Sequence, residues 1–315
     1  MPSNATVIIP VFNGQATIGG SVHSALSQTL PTDVIVVDVG SSDASIEAAL
    51  DAAGGDARLK IIKLPENRGP SAARNVALES VSTPWAALLD ADDRLAPDRL
   101  ERLVEIADAR RWDFVADDIY RVDDWRGIDQ AKRHWRDTPF EPFDLNTEFF
   151  VLQNIPQISG AHRELGYIKP MMRTETIRSL RLRYDENMRL GEDFDFYVRA
   201  LAGGAAFGMA PPMGYYALDR PGSLSKLHRA HDLENCYRAD TRLLKIDTLS
   251  AGAKGALRRH RREVHKRWAW ARLIEAKKAW DLRNAVGAFM APPEVIGRLL
   301  LGLFGHFIGR KGRST

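Results

Sequence analysis

The stretch "AALLDADDRL" ends an apolar run, Ala86-Ala87-Leu88-Leu89, in three aspartates, Asp90, Asp92 and Asp93. Carboxylates this close raise one another's pKa unless a cation neutralises them. Helix capping accounts for single aspartates, and Asp43 and Asp98 are placed to cap. It does not account for three together. A hard divalent cation does, because Mg²⁺ or Mn²⁺ takes one or two carboxylates together with phosphate oxygens and water. Asp92, Asp90 and Asp93 are therefore the candidate ligands of a metal that in turn holds a phosphate.

Alternating elements position that cluster. "ATVIIPVF" is a β-branched run closed by Asn13-Gly14, which predicts a strand and a turn. "TIGGSVHSALSQTL" has helical spacing, and "DVIVVDVG" is a continuous apolar strand of the kind buried in a parallel sheet. A capped helix in "SSDASIEAALDAAGG", a strand "LKIIKLP", a helix "SAARNVALESV", a strand "WAALLDADD", a helix "PDRLERLVEIADARR" and a strand "DFVADDIYRV" follow. This order predicts an α/β layer with a largely parallel sheet over roughly the first 120 residues. Ligands of such sheets bind beyond the carboxyl ends of the strands, where Asp38 and the Asp90 cluster stand. Residues 123–160 read as loop with short elements, another helix starts near Glu192, and from about His231 the chain is helical and basic.

Of 315 residues, 44% are hydrophobic and 27% charged, as in folded soluble proteins. The single cysteine, Cys236, excludes an internal disulfide and a cysteine-rich zinc site, and suits a reducing compartment. The N-terminus lacks a basic region followed by a long apolar one, so no signal peptide is expected. The formal charge of +3 is unevenly spread: residues 251–315 hold 15 Lys and Arg against 4 Asp and Glu.

The succession "VIIPVFNG", "VIVVDVGSSD", "ENRGPSAARN", "LLDADD" and "GEDFDF" resembles the inverting family 2 glycosyltransferases with the GT-A fold, over roughly residues 5–225. The resemblance implies a Rossmann-like mixed sheet flanked by helices. It divides the chain into a catalytic domain, residues 1–230, and a basic helical extension, residues 231–315. Within the domain, residues 1–120 would bind the nucleotide sugar and 121–230 the acceptor and base. By resemblance Pro10, Phe12 and Asn13 lie against the nucleotide base. Family members usually place two aspartates at the end of the second strand, the second reading uracil. Here Asp38 is followed by Val39, so either Asp38 takes the role alone or uracil selection is weakened.

Asn67, Arg68, Gly69 and Arg74 are implied at the base or diphosphate, with Gly69 allowing close backbone approach and the following helix offering N–H groups to an anion. Asp90, Ala91 and Asp92 form the Asp-x-Asp segment, with Asp93 close by. Asp193 matches the general base and Glu192 its acidic neighbour, while Asp195 and Arg199 support the site or the helix. Arg220 and Ser223 match a loop that closes over the diphosphate. Trp125, Trp135, His162 and Lys169 are candidates for the acceptor pocket, since aromatic faces suit sugar rings.

The resemblance implies a metal-dependent, inverting transfer of one hexose from a nucleotide sugar, with UDP the expected carrier. Mg²⁺ or Mn²⁺ is the expected cofactor. The acceptor would be a glycan or a polyprenyl-diphosphate-linked oligosaccharide in cell-surface polysaccharide assembly. The absence of a Gln-x-x-Arg-Trp sequence favours single transfer over processive synthesis. The tail mixes cations with Trp268, Trp270 and Trp280, and Val295 to Ile308 is an apolar run too short to span a bilayer. A peripheral place on the cytoplasmic membrane face is expected, against the alternative of a helix packed on the domain or a dimer contact. No nucleic-acid motif is present. A dehydrogenase is disfavoured because no Gly-x-Gly-x-x-Gly follows the first strand. A nucleotidyltransferase would need a Gly-rich N-terminal loop with a basic residue. The rival of another class, a degenerate binding or scaffold protein, has Val39 in its favour and Asp90, Asp92 and Asp193 against it.

Overall fold

Apolar β-branched runs become strands because their branched side chains pack on pleated surfaces, and the glycines and polar clusters between them turn the chain. The computed structural model describes residues 2–155, 164–219, 229–289, 292–297 and 299–300. The chain opens with β1 (Ala5–Val11), α1 (Ile18–Leu26), β2 (Thr32–Asp38), α2 (Ser45–Ala53), β3 (Leu59–Lys63), α3 (Gly69–Ser80) and β4 (Trp85–Leu88). It continues with β5 (Arg94–Leu95), α4 (Arg99–Arg110), β6 (Phe114–Asp117), β7 (Tyr120–Val122), β8 (Lys132–Arg133), β9 (Phe143–Leu145) and α5 (Thr147–Leu152). Next come β10 (Met171–Arg173), α6 (Thr174–Ser179), α7 (Glu192–Ala202), β11 (Phe207–Ala210) and β12 (Tyr215–Leu218). The helices α8 (Ala230–Leu243), α9 (Ala251–Lys278) and α10 (Leu282–Gly287) follow.

Among the described residues the main sheet has eight strands in the order β3-β2-β1-β4-β10-β6-β11-β9. Strands β3, β2, β1 and β4 run parallel, with Val11 opposite Asp38 where β1 and β2 end together. The main-sheet strands of the first 120 residues run in one direction as the alternation predicts, and β10, antiparallel to both β4 and β6, with β9 antiparallel to β11, makes the sheet mixed. A parallel neighbour needs a crossover, and β10 arrives instead after a long excursion that returns it from the opposite end. The predicted single strand "DFVADDIYRV" is two strands in two sheets: β6 joins the main sheet, and β7 joins a small sheet ordered β5-β12-β7-β8. Buried carboxylates break it. Asp117 pairs with Arg99, and Asp118 accepts the N–H groups of Trp135 at 2.8 Å and Arg136 at 3.1 Å.

The strands alternate between two apolar layers. Val7, Ile9, Val34 and Val36 pack with Ile18 and Val22 of α1 and Leu100 and Leu103 of α4. Ile8, Ile35 and Val37 pack with Ala73 of α3, Phe150 of α5, Phe194 and Val198 of α7, and Ala253 and Leu257 of α9. The helices past residue 230 thus bury part of the same layer as the sheet. The expected caps differ in detail. Asp98 makes no cap hydrogen bond and pairs with Arg102 at 3.7 Å, whereas Asp43 accepts the Ser45 N–H at 3.1 Å.

Candidate active site

The carboxyl ends of β1 and β2 are tied together by Asn13. Its left-handed backbone (φ 51°) directs its N–H to Ser41 Oγ at 2.9 Å, and its Oδ1 accepts the Ser42 N–H at 2.9 Å. Phe12 stands beside this turn, 48% exposed. Pro10 lies one residue before the end of β1. Asp38 is buried and accepts the Ser41 N–H at 3.2 and 3.3 Å. Val39 is packed into the apolar layer shared with α3 and α7, so it offers no acceptor to a base. Gly40 (φ 80°) runs close to Glu66, where an added Cβ would lie 3.4 Å from its carbonyl carbon. The loop before α3 is thereby held against the end of β2. Asn67 Oδ1 accepts the Gly69 N–H at 3.0 Å, and Arg68 reaches Glu186 at 2.5 Å on the surface. Ala91 borders Gly14 across the mouth of β1.

Beneath this rim lies a buried ionic group. Arg74, from the second turn of α3, places Nη1 2.9 Å from Glu192 and 3.3 Å from Asp193, and Nη2 3.5 Å from Asp90. Lys169, just ahead of β10, places Nζ 3.1 Å from Asp193 Oδ2 and 3.3 Å from Asp90 Oδ2. The segment before α7 is pinned to α3. Asn75 accepts the Tyr184 N–H at 2.8 Å and donates to the Tyr184 carbonyl at 3.0 Å, and Ser71 Oγ donates to the Met188 carbonyl at 3.2 Å. Gly191 (φ 74°) then makes the left-handed turn that starts α7.

Two cations face three carboxylates here, and burial sharpens every interaction. Burial alone would raise the Asp90 carboxyl, but the Lys169 and Arg74 charges outweigh it and hold it below its ordinary value. Burial and the Asp193 charge push Glu192 up despite Arg74. Burial opposes the Lys169 ammonium, yet Asp193 and Asp90 raise its pKa.

The three aspartates of "DADD" have different surroundings. Asp93 is buried, its Oδ2 accepting the Tyr215 hydroxyl at 2.8 Å and its Oδ1 the Leu218 N–H at 2.9 Å. Burial and the charges of Asp90 and Asp92 raise its pKa well above the ordinary range. Tyr215 also accepts the Asp90 N–H at 3.1 Å, so β12 braces the end of β4. Asp92 is half-buried at the sheet end. Among the described residues no three His, Cys, Asp or Glu side chains converge as a metal cage. Mg²⁺ or Mn²⁺ shared with a diphosphate needs only one or two carboxylates. Asp93 is hydrogen-bonded on both oxygens at 2.8 and 2.9 Å, whereas the longer ion pairs of Asp90, 3.3 Å to Lys169 and 3.5 Å to Arg74, leave it with Asp92 as the donor set.

Other candidates fall elsewhere. Trp125 stacks on Arg94 at 4.2 Å, and Trp135 sits in a cluster with Phe140, Phe143 and Phe149, donating to Gln153 at 3.1 Å. Trp135 packs on the apolar core, and Trp125 is half-buried against Arg94. Asp195 accepts from Arg199 at 2.8 Å within α7. His162, Arg220 and Ser223 lie outside the described residues. Lys169 touches Asp90 and Asp193 rather than lining an open acceptor pocket. Its local signal is a lone cation in the apolar "GYIKPMM". Tyr215 had none, since "GYYAL" reads as an ordinary strand.

The model of Glycosyl transferase family 2 matches residues 6–165. The succinoglycan biosynthesis protein ExoU of Rhizobium meliloti (strain 1021) is 36% identical over 304 residues, covering 96% of this chain and 87% of that protein. ExoO of the same organism is 31% identical over 299 residues, covering 94% and 84%. Among solved structures, S. aureus TarS 1-349 in complex with UDP-GlcNAc aligns with a TM-score of 0.65 at 18% identity, covering 90% of each chain. The mannosyltransferase PcManGT from Pyrobaculum calidifontis, in complex with GDP-Man and Mn²⁺, aligns with a TM-score of 0.60 at 16% identity, covering 96% of this chain and 80% of that one. These structures share the GT-A fold. By its motif order, fold and relatives, this chain belongs to glycosyl transferase family 2.

Proposed function

We propose that this glycosyltransferase moves a single hexose from a UDP-sugar, with inversion, to a glycan or polyprenyl-diphosphate-linked acceptor in cell-surface polysaccharide assembly. The observation that carries this reading is the pair of bridges from Arg74 and Lys169, which join Asp90 of "DADD" to Asp193 of "GED" in one site. The names of ExoU and ExoO support a role in exopolysaccharide synthesis, and the UDP-GlcNAc complex of TarS supports a UDP-linked donor.

Phe12, Pro10, Asn13 and Asp38 receive the nucleotide base. Arg68, Arg74 and the N-terminal N–H groups of α3, opened by Asn67 and Gly69, face the diphosphate. Asp193 accepts the proton of the acceptor hydroxyl as it attacks the anomeric carbon from the face opposite the diphosphate. A general base of this kind contributes roughly 10²–10⁴-fold. A divalent cation held by Asp92 and Asp90 supplies, when bound, Lewis-acid neutralisation of charge on the departing oxygens.

The division near residue 230 is taken as one of function, catalysis before it and attachment after it. Among the described residues no helix is long and apolar enough to cross a membrane. Peripheral binding to the anionic inner face of the cell membrane is supported by exposed Arg258, Arg259, Lys277 and Lys278 together with Trp280, which is 91% exposed.

Calorimetric titration of UDP, dTDP and GDP, with and without Mn²⁺, tests the donor reading. UDP is expected to bind in a metal-dependent way that Asp92→Ala abolishes. Metal-dependent binding of a different nucleotide would reassign the donor and implicate Val39. No binding of any would leave a scaffold protein as the better reading.

A further inference from the structure

The two oxygens of Asp193 have different surroundings. Lys169 Nζ donates a hydrogen bond to Oδ2 at 3.1 Å, whereas Oδ1 is buried and accepts no hydrogen bond. Arg74 Nη1 lies 3.3 Å from Oδ1, an ion pair without hydrogen-bond alignment. A buried acceptor left without a donor is costly, so what holds this carboxylate is the pair of cations beside it, Arg74 and Lys169.

Lys169 is itself a built feature. Its side chain is 7% exposed, and its carbonyl accepts from Arg99 Nη2 at 2.7 Å. Arg99 is in turn locked to Asp117, both fully buried. The anchored backbone and the second contact, to Asp90 Oδ2 at 3.3 Å, hold the ammonium between the two carboxylates. From that position the compact, three-donor ammonium spans two carboxylates.

We propose that Lys169 is a positioning residue for transfer. By holding Oδ2 it fixes the orientation of the Asp193 carboxylate, and by holding Asp90 at the same time it sets the distance from base to donor. In the step this serves, the hydroxyl O–H breaks and its proton goes to the Asp193 carboxylate. The oxygen bonds to the anomeric carbon, and the bond to the diphosphate breaks with its electron pair leaving on the diphosphate. The inference rests on the reading of Asp193 as the base.

The test uses the full chain, following UDP release from UDP-glucose with membrane-extracted acceptor, and UDP affinity by calorimetry. Lys169→Ala is expected to lower kcat by about 100-fold, the effect of a small misplacement of a reacting group, with the UDP Kd changed by less than about threefold. n-Propylamine, which replaces the missing stem and ammonium, is expected to restore kcat of Lys169→Ala by about tenfold or more, and Lys169→Arg to restore little. Lys169→Met keeps most of the volume and serves if the alanine variant melts early. Wild-type kcat in the alanine or methionine variant, or a loss of kcat matched by an equal loss of UDP affinity, would overturn the proposal. Asp193→Asn separates the two readings. If it is inactive with UDP binding intact while Lys169→Ala is active, only the role of Lys169 fails. If Asp193→Asn stays active, the base assignment fails and this inference with it.

Discussion

Arg74 shows how much one side chain can hold at this site. It meets Asp90, Glu192 and Asp193 from a position only 4% exposed, and its guanidinium lies 5.2 Å from the centre of the Tyr184 ring. Removing one partner of a buried ion pair leaves the others uncompensated, at a cost on the order of 3–5 kcal/mol. Arg74→Met should therefore lower the denaturant midpoint as well as UDP affinity. A surface arginine would affect neither by more than a few tenths of a kcal/mol, so urea titration of the variant decides between the two roles. The motif "SAARN" exposed Arg74 as a candidate, and its helical spacing set which turn carries it. Nothing local could show that three carboxylates converge on it, because Asp90 and Glu192 come from other elements.

At the scale of elements, α7 is braced from below as well as from the sheet. His260 of α9 stacks on Phe194 at 4.3 Å and bonds Asp240 of α8 at 2.9 Å, and Cys236 donates to the Leu190 carbonyl at 3.1 Å. Helix α7 is thus held by two helices that sequence reading assigned to a separate extension. A second histidine reports on the same packing. His265 of α9 lies 4.9 Å from the Tyr237 ring and 5.4 Å from Trp268. Burial, with the nearby Arg261 charge, lowers its pKa below the ordinary 6.5. The unfolded chain then binds more protons in slightly acid solution, so this contribution to stability is complete above about pH 6.5 and is lost as the pH falls through that value. Thermal melts from pH 7.5 to 5.5 should show a shallower decline in His265→Gln than in the wild type. Equal slopes would mean that the imidazole is not protected by packing.

For the whole molecule, the boundary near residue 230 is not a gap in the core. Leu243 and Leu249, with Ala253, Ala256 and Leu257 of α9, share an apolar layer with Phe150, Val151 and Phe194. Fully burying a leucine contributes about 1.5–3 kcal/mol, so removing several approaches the whole stability of a domain. A chain ending at residue 230 is expected to aggregate or to melt without a cooperative transition, judged by calorimetry and size-exclusion chromatography. A soluble, cooperatively folding fragment that binds UDP like the full chain would show that α8 and α9 are dispensable. Positive charge and core packing coexist on α9 because its small apolar residues face inward while Arg258, Arg259, Lys277 and Lys278 face solvent.

Taken alone, the sequence determined the strand and helix alternation of the first half, because apolar period and turn residues act over a few positions. It also located the aspartates at strand ends, since a charge run closing an apolar run marks where a strand meets solvent. The family followed from five short segments in order. The tertiary structure alone decided that β10 enters antiparallel, that "DFVADDIYRV" divides between two sheets, that Asp93 turns to Tyr215, and that Lys169 joins Asp90 to Asp193. Each of these is a contact between segments far apart in the chain. Such contacts depend on burial and on which elements pack together, and no spacing along the chain records them.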